Sequence, residues 1–174
     1  MMKKFTPIRK MWCFFNVATL FFILSAFFVA DPLEEDSIFL ENQLVAHYDG
    51  SFAAGQVNRY ELSVTTFGFC RYKRYFKNGK IEYFAFNFLK YKDADFFGRP
   101  ERGLLYLRTK ADDVIVQTYK DRGGDVDSMA SFMIIPLKQV EAEDLNNLAE
   151  RFASLRSTLQ KQQTRLSLRG VKPQ

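Results

Sequence analysis

Apolar and polar residues alternate with a period of two over Tyr60, Leu62 and Val64 against Arg59, Glu61 and Ser63. That is the signature of a strand with one buried face. Alternation continues from Phe67 to Phe76 and, after Lys77-Asn78-Gly79, from Lys80 to Tyr91. An Asn-Gly pair between two aromatic alternating runs predicts a hairpin. Two registers compete. A two-residue turn sets Lys73 beside Phe84 and Arg71 beside Phe86. A three-residue loop with Gly79 left-handed instead gathers Cys70, Tyr72, Phe84, Phe86 and Phe88 on one face and pairs Arg74 with Glu82. Arg71, Lys73 and Asn87 then share the other face. A one-residue slip exchanges core and solvent faces, so the second register is expected.

Downstream, Asp93 to Gly103 reads as a loop broken by Gly98, Pro100 and Gly103. Leu104 to Thr109 and Val114 to Tyr119 read as a second hairpin around Lys110-Ala111-Asp112-Asp113. A Gly-Gly turn within Asp121 to Ser128 leads to a strand over Met129 to Leu137, with Pro136 marking its end or a sheet edge. From Glu141 to Gln163 the period becomes helical. Leu145, Leu148, Phe152, Leu155 and Leu159 are spaced 3,4,3,4, one narrow apolar stripe that suits packing on a sheet. Ser37 to Tyr48 has mixed periodicity and fits either a strand or a short helix. The expected fold class is α+β: an antiparallel meander of roughly five to seven strands closed by the C-terminal amphipathic helix. Strands followed by a terminal helix resemble the order in pleckstrin-homology-like domains, a likeness of fold that implies no function.

One stretch fits no globular pattern. Met11 to Ala30 carries no charge over twenty residues, and twenty helical residues span roughly 30 Å, the hydrocarbon thickness of a bilayer. Lys3, Lys4, Arg9 and Lys10 precede it, and Asp31, Glu34, Glu35 and Asp36 follow. By the positive-inside rule the N-terminus stays in the cytoplasm and the rest crosses. The expected organisation is a cytoplasmic basic tail (1–10), a single-pass signal anchor (11–30), and a juxtamembrane linker with a first element (31–57). The exported sheet and helix (58–163) and a basic, frayed tail (164–174) follow. Pro32 is expected to block continuation of the membrane helix into an acidic linker, Asp31 to Asp36. A cleaved signal peptide is the alternative, but its apolar core usually runs about 7–15 residues, and Phe28 would occupy the −3 position for cleavage after Ala30. Either way the domain is exported, with a bacterial inner membrane and a periplasmic domain as the expected setting.

Charge then argues against nucleic acid. Of 25 basic residues, four precede the first acid, which leaves 21 basic against 20 acidic residues from Asp31 onward. The excess lies in two tails, so the folded part offers no basic footprint for a nucleic acid. Thr66-Phe67-Gly68-Phe69-Cys70-Arg71-Tyr72 resembles part of the aromatic RNA-binding strand of RRM domains, but Thr65-Thr66 stands where that pattern has its basic-Gly pair. Arg99-Pro100-Glu101, with a preceding aromatic strand and a closing helix, resembles the periplasmic proteins that accompany exosortases. Those carry a cysteine soon after the Arg-Pro-Glu, where this chain has Gly103-Leu104.

Catalytic signals are sparse. Cys13 lies in the hydrophobic segment, so no disulfide to Cys70 is expected, and Cys70 reads as a buried, inert thiol. Asp121, Asp125 and Asp127 lack the spacing of a calcium loop and read as a solvated turn. His47 stands alone, without a G-x-S-x-G elbow. No cofactor is expected, and the chain reads as non-enzymatic. Its expected partners are the lipid bilayer, through Met11 to Ala30, and a membrane or envelope protein. Arg71, Lys73, Tyr75 and Tyr83 form the candidate contact set for lipid head groups or an acidic partner. Phe84, Phe86 and Phe88 are the candidate lining of an apolar pocket between sheet and helix, as a carrier of a small apolar ligand or lipid would need.

Overall fold

The computed structural model describes residues 31–52, 56–168 and 170. The expected cytoplasmic tail and membrane anchor (1–30) therefore lie outside the described residues, as does most of the end of the basic tail. Among the described residues no helix is long and apolar enough to cross a membrane.

Among the described residues the fold is α+β, with helix α1 (Pro32–Ala46), eight strands and helix α2 (Ala142–Leu168). The strands are β1 (Val57–Val64), β2 (Phe69–Phe76), β3 (Ile81–Asn87), β4 (Tyr91–Arg99), β5 (Arg102–Thr109), β6 (Val114–Tyr119), β7 (Asp127–Ala130) and β8 (Phe132–Lys138). They do not form one meander. Five make one antiparallel sheet in the order β1-β2-β3-β6-β7, and three make a second in the order β4-β5-β8. The chain passes between the sheets after β3, after β5 and after β7.

The β2–β3 hairpin has the expected register, with Arg74 opposite Glu82, Tyr72 opposite Phe84 and Cys70 opposite Phe86. Gly79 has φ of 89°, its N–H donates to Phe76 O at 3.0 Å, and Phe76 N–H donates to Lys80 O at 2.9 Å. A Cβ at Gly79 would meet nothing within 4 Å, so only the backbone conformation restricts this position. Gly79→Val should cost about 1–2 kcal/mol, whereas Gly79→Asn should cost less because Asn tolerates the left-handed region. Denaturant unfolding of both variants checks this, and a Val variant as stable as the parent would show that the loop rearranges freely.

Three expectations fail in the strands. Asp93 to Gly103 is not a loop but the core of a β4–β5 hairpin turning at Pro100-Glu101, with Gly98 opposite Gly103. The Phe96 ring covers Gly103 so closely that a Cβ there would lie 2.3 Å from it. The two glycines allow close strand approach instead of breaking the strands. Leu104 to Thr109 and Val114 to Tyr119 are strands, but they do not pair with each other. β5 pairs with β4 and β8, while β6 pairs with β3 and β7. The corner between them is held by buried Thr109, whose Oγ1 donates to Ala111 O at 2.6 Å, so the chain changes sheets there. Met129 to Leu137 is two strands, split at Ser131, where the chain leaves one sheet for the other.

Pro136 does lie on an edge strand, β8. Its carbonyl accepts from Asp49 N–H at 2.9 Å. Because the N and O of a strand residue point the same way, its missing N–H faces residues 47–49 and costs the β5–β8 ladder nothing.

The helical expectations divide. Leu148, Phe152, Leu155 and Leu159 of α2 are buried as the stripe implies, but the helix runs on to Leu168 where a frayed tail was expected. Thr164 Oγ1 donates to Gln160 O at 2.9 Å and Ser167 Oγ to Thr164 O at 2.8 Å, bonds that helical geometry supplies. Asp31 to Asp36 is not a linker. Pro32 opens α1, since its fixed φ suits a first helical position whose N–H would be unpaired in any case, and Glu34 and Glu35 favour that end of the dipole. The core lies where α1 and α2 meet both sheets. Leu40, Leu44 and Phe152 are buried there with Tyr72 and Phe86 of the larger sheet and Leu107 and Ile135 of the smaller.

Candidate functional site

The apolar face expected of β2 and β3 is largely consumed by packing. Phe88 stacks on Phe152 of α2 at 5.5 Å between ring centroids, and Phe86 lies 5.1 Å from Phe88. Both are fully buried. Phe88 also leaves the strand, in a single 3₁₀ turn (Phe88–Lys90) set by Asn87 Oδ1, which accepts from Leu89 N–H at 2.9 Å. The helix stripe thus fills the space that Phe86 and Phe88 were expected to line.

Phe84, the third member, does line a cavity, on the side away from α2's stripe. Its first wall is the inward face of the larger sheet, with Arg74, Phe84, Val116 and Ala130. The second wall is Leu104, Phe132, Ile134 and Pro136 from the smaller sheet. Register explains that wall. Leu104 lies opposite Pro136, Tyr106 opposite Ile134 and Arg108 opposite Phe132, so these residues share the face that β5 and β8 turn away from the helices. Leu105, Leu107, Met133 and Ile135 occupy the other, buried face. Phe52 completes the cavity, whose volume is about 360 Å³, within the range of small-molecule pockets. Phe52 and Phe132 are 44% and 41% exposed, so it reaches the surface.

The same sheet face continues as an apolar patch. Phe97, 54% exposed, sits edge-on to Tyr106 at 5.0 Å, and Tyr106 packs on Phe132 at 5.5 Å. Ions bound the patch at one end, where Arg108 pairs with Asp93 at 3.2 Å and with Asp95.

Among the described residues, Arg74 is the one charged side chain lining the cavity. It pairs with Glu82, which Lys80 holds at 3.1 Å, and Lys80 reaches Asp121 at 2.7 Å. The guanidinium carbon lies 5.5 Å from the ring centroids of Tyr72, Phe76 and Phe84. Arg74 Nε is buried and makes no hydrogen bond. Asp121 accepts hydrogen bonds from Lys80 and from Gly123 N–H, and these hold its carboxyl below the ordinary value. Gly123 N–H and Lys80 engage Asp121, and Asp121 N–H in turn donates to Asp125 Oδ1 at 2.9 Å. Those acids therefore close a turn, and among the described residues no group of three or more metal-ligating side chains gathers.

The expected cation-aromatic set is brought together on the outer face of the larger sheet, where Lys73 lies opposite Tyr83 and Arg71 opposite Ala85. Lys73 Nζ is 5.0 Å from the Tyr75 ring centroid, and Arg59, which was not in the expected set, covers the same ring at 4.2 Å. Tyr75 OH donates to Glu61 Oε1 at 3.0 Å. The Tyr75 hydroxyl beside Lys73 raises the lysine's pKa. Alternation identified the face; Arg59 and Glu61 come from the β1 pairing, which no local signal marks.

Other sequence candidates act structurally. His47 Nδ1 lies 3.2 Å from Lys138 O, and Arg102 Nε lies 2.7 Å from buried Asp49 Oδ2, fastening residues 47–51 along β8. Cys70 is fully buried, and burial, followed by the nearby Glu41 charge, pushes its thiol up to about 12. Burial also pushes Tyr91 up to about 12. Both groups hold their protons more tightly folded than unfolded. Their contribution to stability is therefore intact below their ordinary values of 9.0 and 10.0 and is lost as pH rises toward about 12. Denaturation midpoints should fall over that window, with a shallower fall in Cys70→Ala. On a Cys13→Ser background, Cys70 should resist a thiol reagent at neutral pH until denaturant is added. Rapid native labelling would show that the site opens.

The chain matches no family model, no curated protein and no solved structure.

Proposed function

We propose that this chain is a non-enzymatic, membrane-tethered accessory domain, held at a bilayer through Met11 to Ala30 with its α+β domain outside the cytoplasm. It works there by docking a membrane or envelope protein. The observation that carries the reading is the aromatic patch of Phe97, Tyr106 and Phe132 on the smaller sheet, whose outer members are 54% and 41% exposed. Contiguous apolar surface of this kind marks interaction sites. Tethering supports it, because a surface held at the bilayer meets membrane partners at raised effective concentration. The basic flank before Met11 and the acidic flank after Ala30 support the direction of export.

Two measurements test this. Alkaline phosphatase fused after Gln174 should be active only outside the cytoplasm, and activity of a cytoplasm-only reporter at the same place would overturn the topology. A photocrosslinking residue at Phe97 or Tyr106 should trap one discrete membrane-protein adduct in intact cells, while one at exposed Lys161 should not. Equal labelling at all three positions would remove the patch as a docking site. A second reading, a carrier of a small apolar ligand, is favoured by the cavity that adjoins the same patch. Its location differs from the one expected, since the ligand would sit between the sheets and not under α2.

A further inference from the structure

We infer that the β1–β2 turn and the end of α2 form a docking surface for an anionic lipid bilayer, the one that Met11 to Ala30 enters. This rests on the tethered reading and adds to it which face of the domain lies on the lipid. Phe67, at the tip of the turn, is 80% exposed, yet its backbone is held on both sides. Phe67 O accepts from Asn87 Nδ2 at 3.1 Å, Gly68 N–H donates to Thr65 O at 2.8 Å, and Phe88 N–H donates to Gly68 O at 2.8 Å. Leu159 of α2 packs so closely on Gly68 that a Cβ there would lie 2.3 Å from it. A ring fixed in water at a turn tip adds little to the core and is what an interfacial contact presents.

The surroundings supply charge of one sign. Phe69 is 37% exposed, and the Arg71 guanidinium lies 5.5 Å from its ring centroid. Past Leu159, every residue of α2 from Gln160 to Leu168 is exposed, with Lys161 and Arg165 beside Leu166 and Leu168. No acid follows Glu150 in the chain. Three of the four acids of α1 are engaged within the fold, Glu35 and Asp36 by Arg151 and Glu41 by Val64 N–H. Cations next to exposed apolar side chains bind anionic head groups while the apolar groups enter the acyl boundary. Chain connectivity selects a bilayer as the occupant. Ser37 Oγ donates to Thr65 O at 3.2 Å, which ties the first turns of α1 to the base of the β1–β2 turn. Pro32 lies about 7.5 Å of helical rise before Ser37, and Asp31 alone separates it from the expected anchor. The tether therefore attaches beside the turn and holds it at a high effective concentration of lipid.

The test places an NBD fluorophore on Thr66→Cys in the full chain, on a Cys13→Ser background. The protein is reconstituted in phosphatidylcholine vesicles with about 30% phosphatidylglycerol and a doxyl-labelled lipid as quencher. The reference is the same label on Lys77→Cys, beyond the other end of β2 and about 25 Å along the strand. Doxyl quenching at Thr66→Cys should be at least about twofold that at Lys77→Cys. Phe67→Ser should bring it down to the reference value, and so should Lys161→Gln combined with Arg165→Gln, or vesicles of phosphatidylcholine alone. Buried Cys70 should stay unlabelled in every variant, the sign of an intact fold. Equal quenching at the two labels, in protein that resists carbonate washing, would overturn the docking surface and leave the tether standing. Strong quenching at Thr66→Cys that survives all three changes would overturn it too, because the tether alone would then bring the turn to the lipid. Release of the protein by carbonate would overturn the tethered reading and the inference together.

Discussion

Phe152→Ala is expected to destabilise the domain by about 3–5 kcal/mol, the usual cost of emptying a buried aromatic site. Phe152 is 0% exposed, stacks on Phe88 at an interplanar angle of 19°, and lies 5.6 Å from Tyr91. Its ring therefore joins α2 to the turn where the chain leaves the larger sheet for the smaller. Neighbours fixed by two sheets and a helix cannot collapse into the space, so the upper part of that range applies. Lys161→Ala, on the exposed side of the same helix, should change stability by no more than about 0.5 kcal/mol. Urea unfolding of both variants decides the matter. Equal small losses would mean that α2 contributes little to the folded state.

Arg151→Ala should cost about 2–3 kcal/mol. Arg151 Nη1 donates to Asp36 Oδ1 at 2.7 Å and to Glu35 Oε1 at 3.1 Å, and the guanidinium lies 4.9 Å from the Phe39 ring centroid. It is the polar clasp between α1 and α2. The Asp36 side chain is only 4% exposed, whereas that of Arg151 is 37% exposed. Removing the arginine strands a buried carboxylate, which in a fully buried pair costs about 3–5 kcal/mol; solvent at the arginine lowers that figure. In an Asp36→Asn background the same Arg151→Ala change should cost less than half as much, because no buried charge remains uncompensated. Identical costs in the two backgrounds would show that Arg151 acts through packing on Phe39 and not through Asp36.

Helix α1 also shows why part of the fold could not be read locally. Its buried positions, Leu33, Asp36, Ser37, Leu40 and Leu44, have helical spacing. Two of the five are polar, however, and their partners are remote: Asp36 bonds Arg151, and Ser37 Oγ donates to Thr65 O at 3.2 Å. A stripe that depends on those partners is invisible to hydrophobic periodicity, so Asp31 to Asp36 reads as an acidic linker and Ser37 to Tyr48 as mixed. Glycine misleads in a similar way. Gly98 and Gly103 carry the same local signal whether they end strands or let two strands close on each other under Phe96.

Local order is enough to place those features in which a short-range period meets a local constraint. These are the β2–β3 register set by Gly79 and the alternation around it, and the α2 stripe from Leu148 to Leu159. In each, one wrong step would turn apolar side chains to water, so the pattern admits a single answer. Which strands pair beyond neighbouring hairpins, and hence the division of the eight described strands into sheets of five and three, comes from long-range contacts alone. The same contacts turn Phe84 toward a cavity while Phe86 and Phe88 are packed, and they place Arg74, paired with Glu82, among its lining residues. Those outcomes depend on contacts between residues far apart in the chain, such as Phe84 and Ile134, whose proximity follows from three crossings between sheets and leaves no periodic trace in the order of residues.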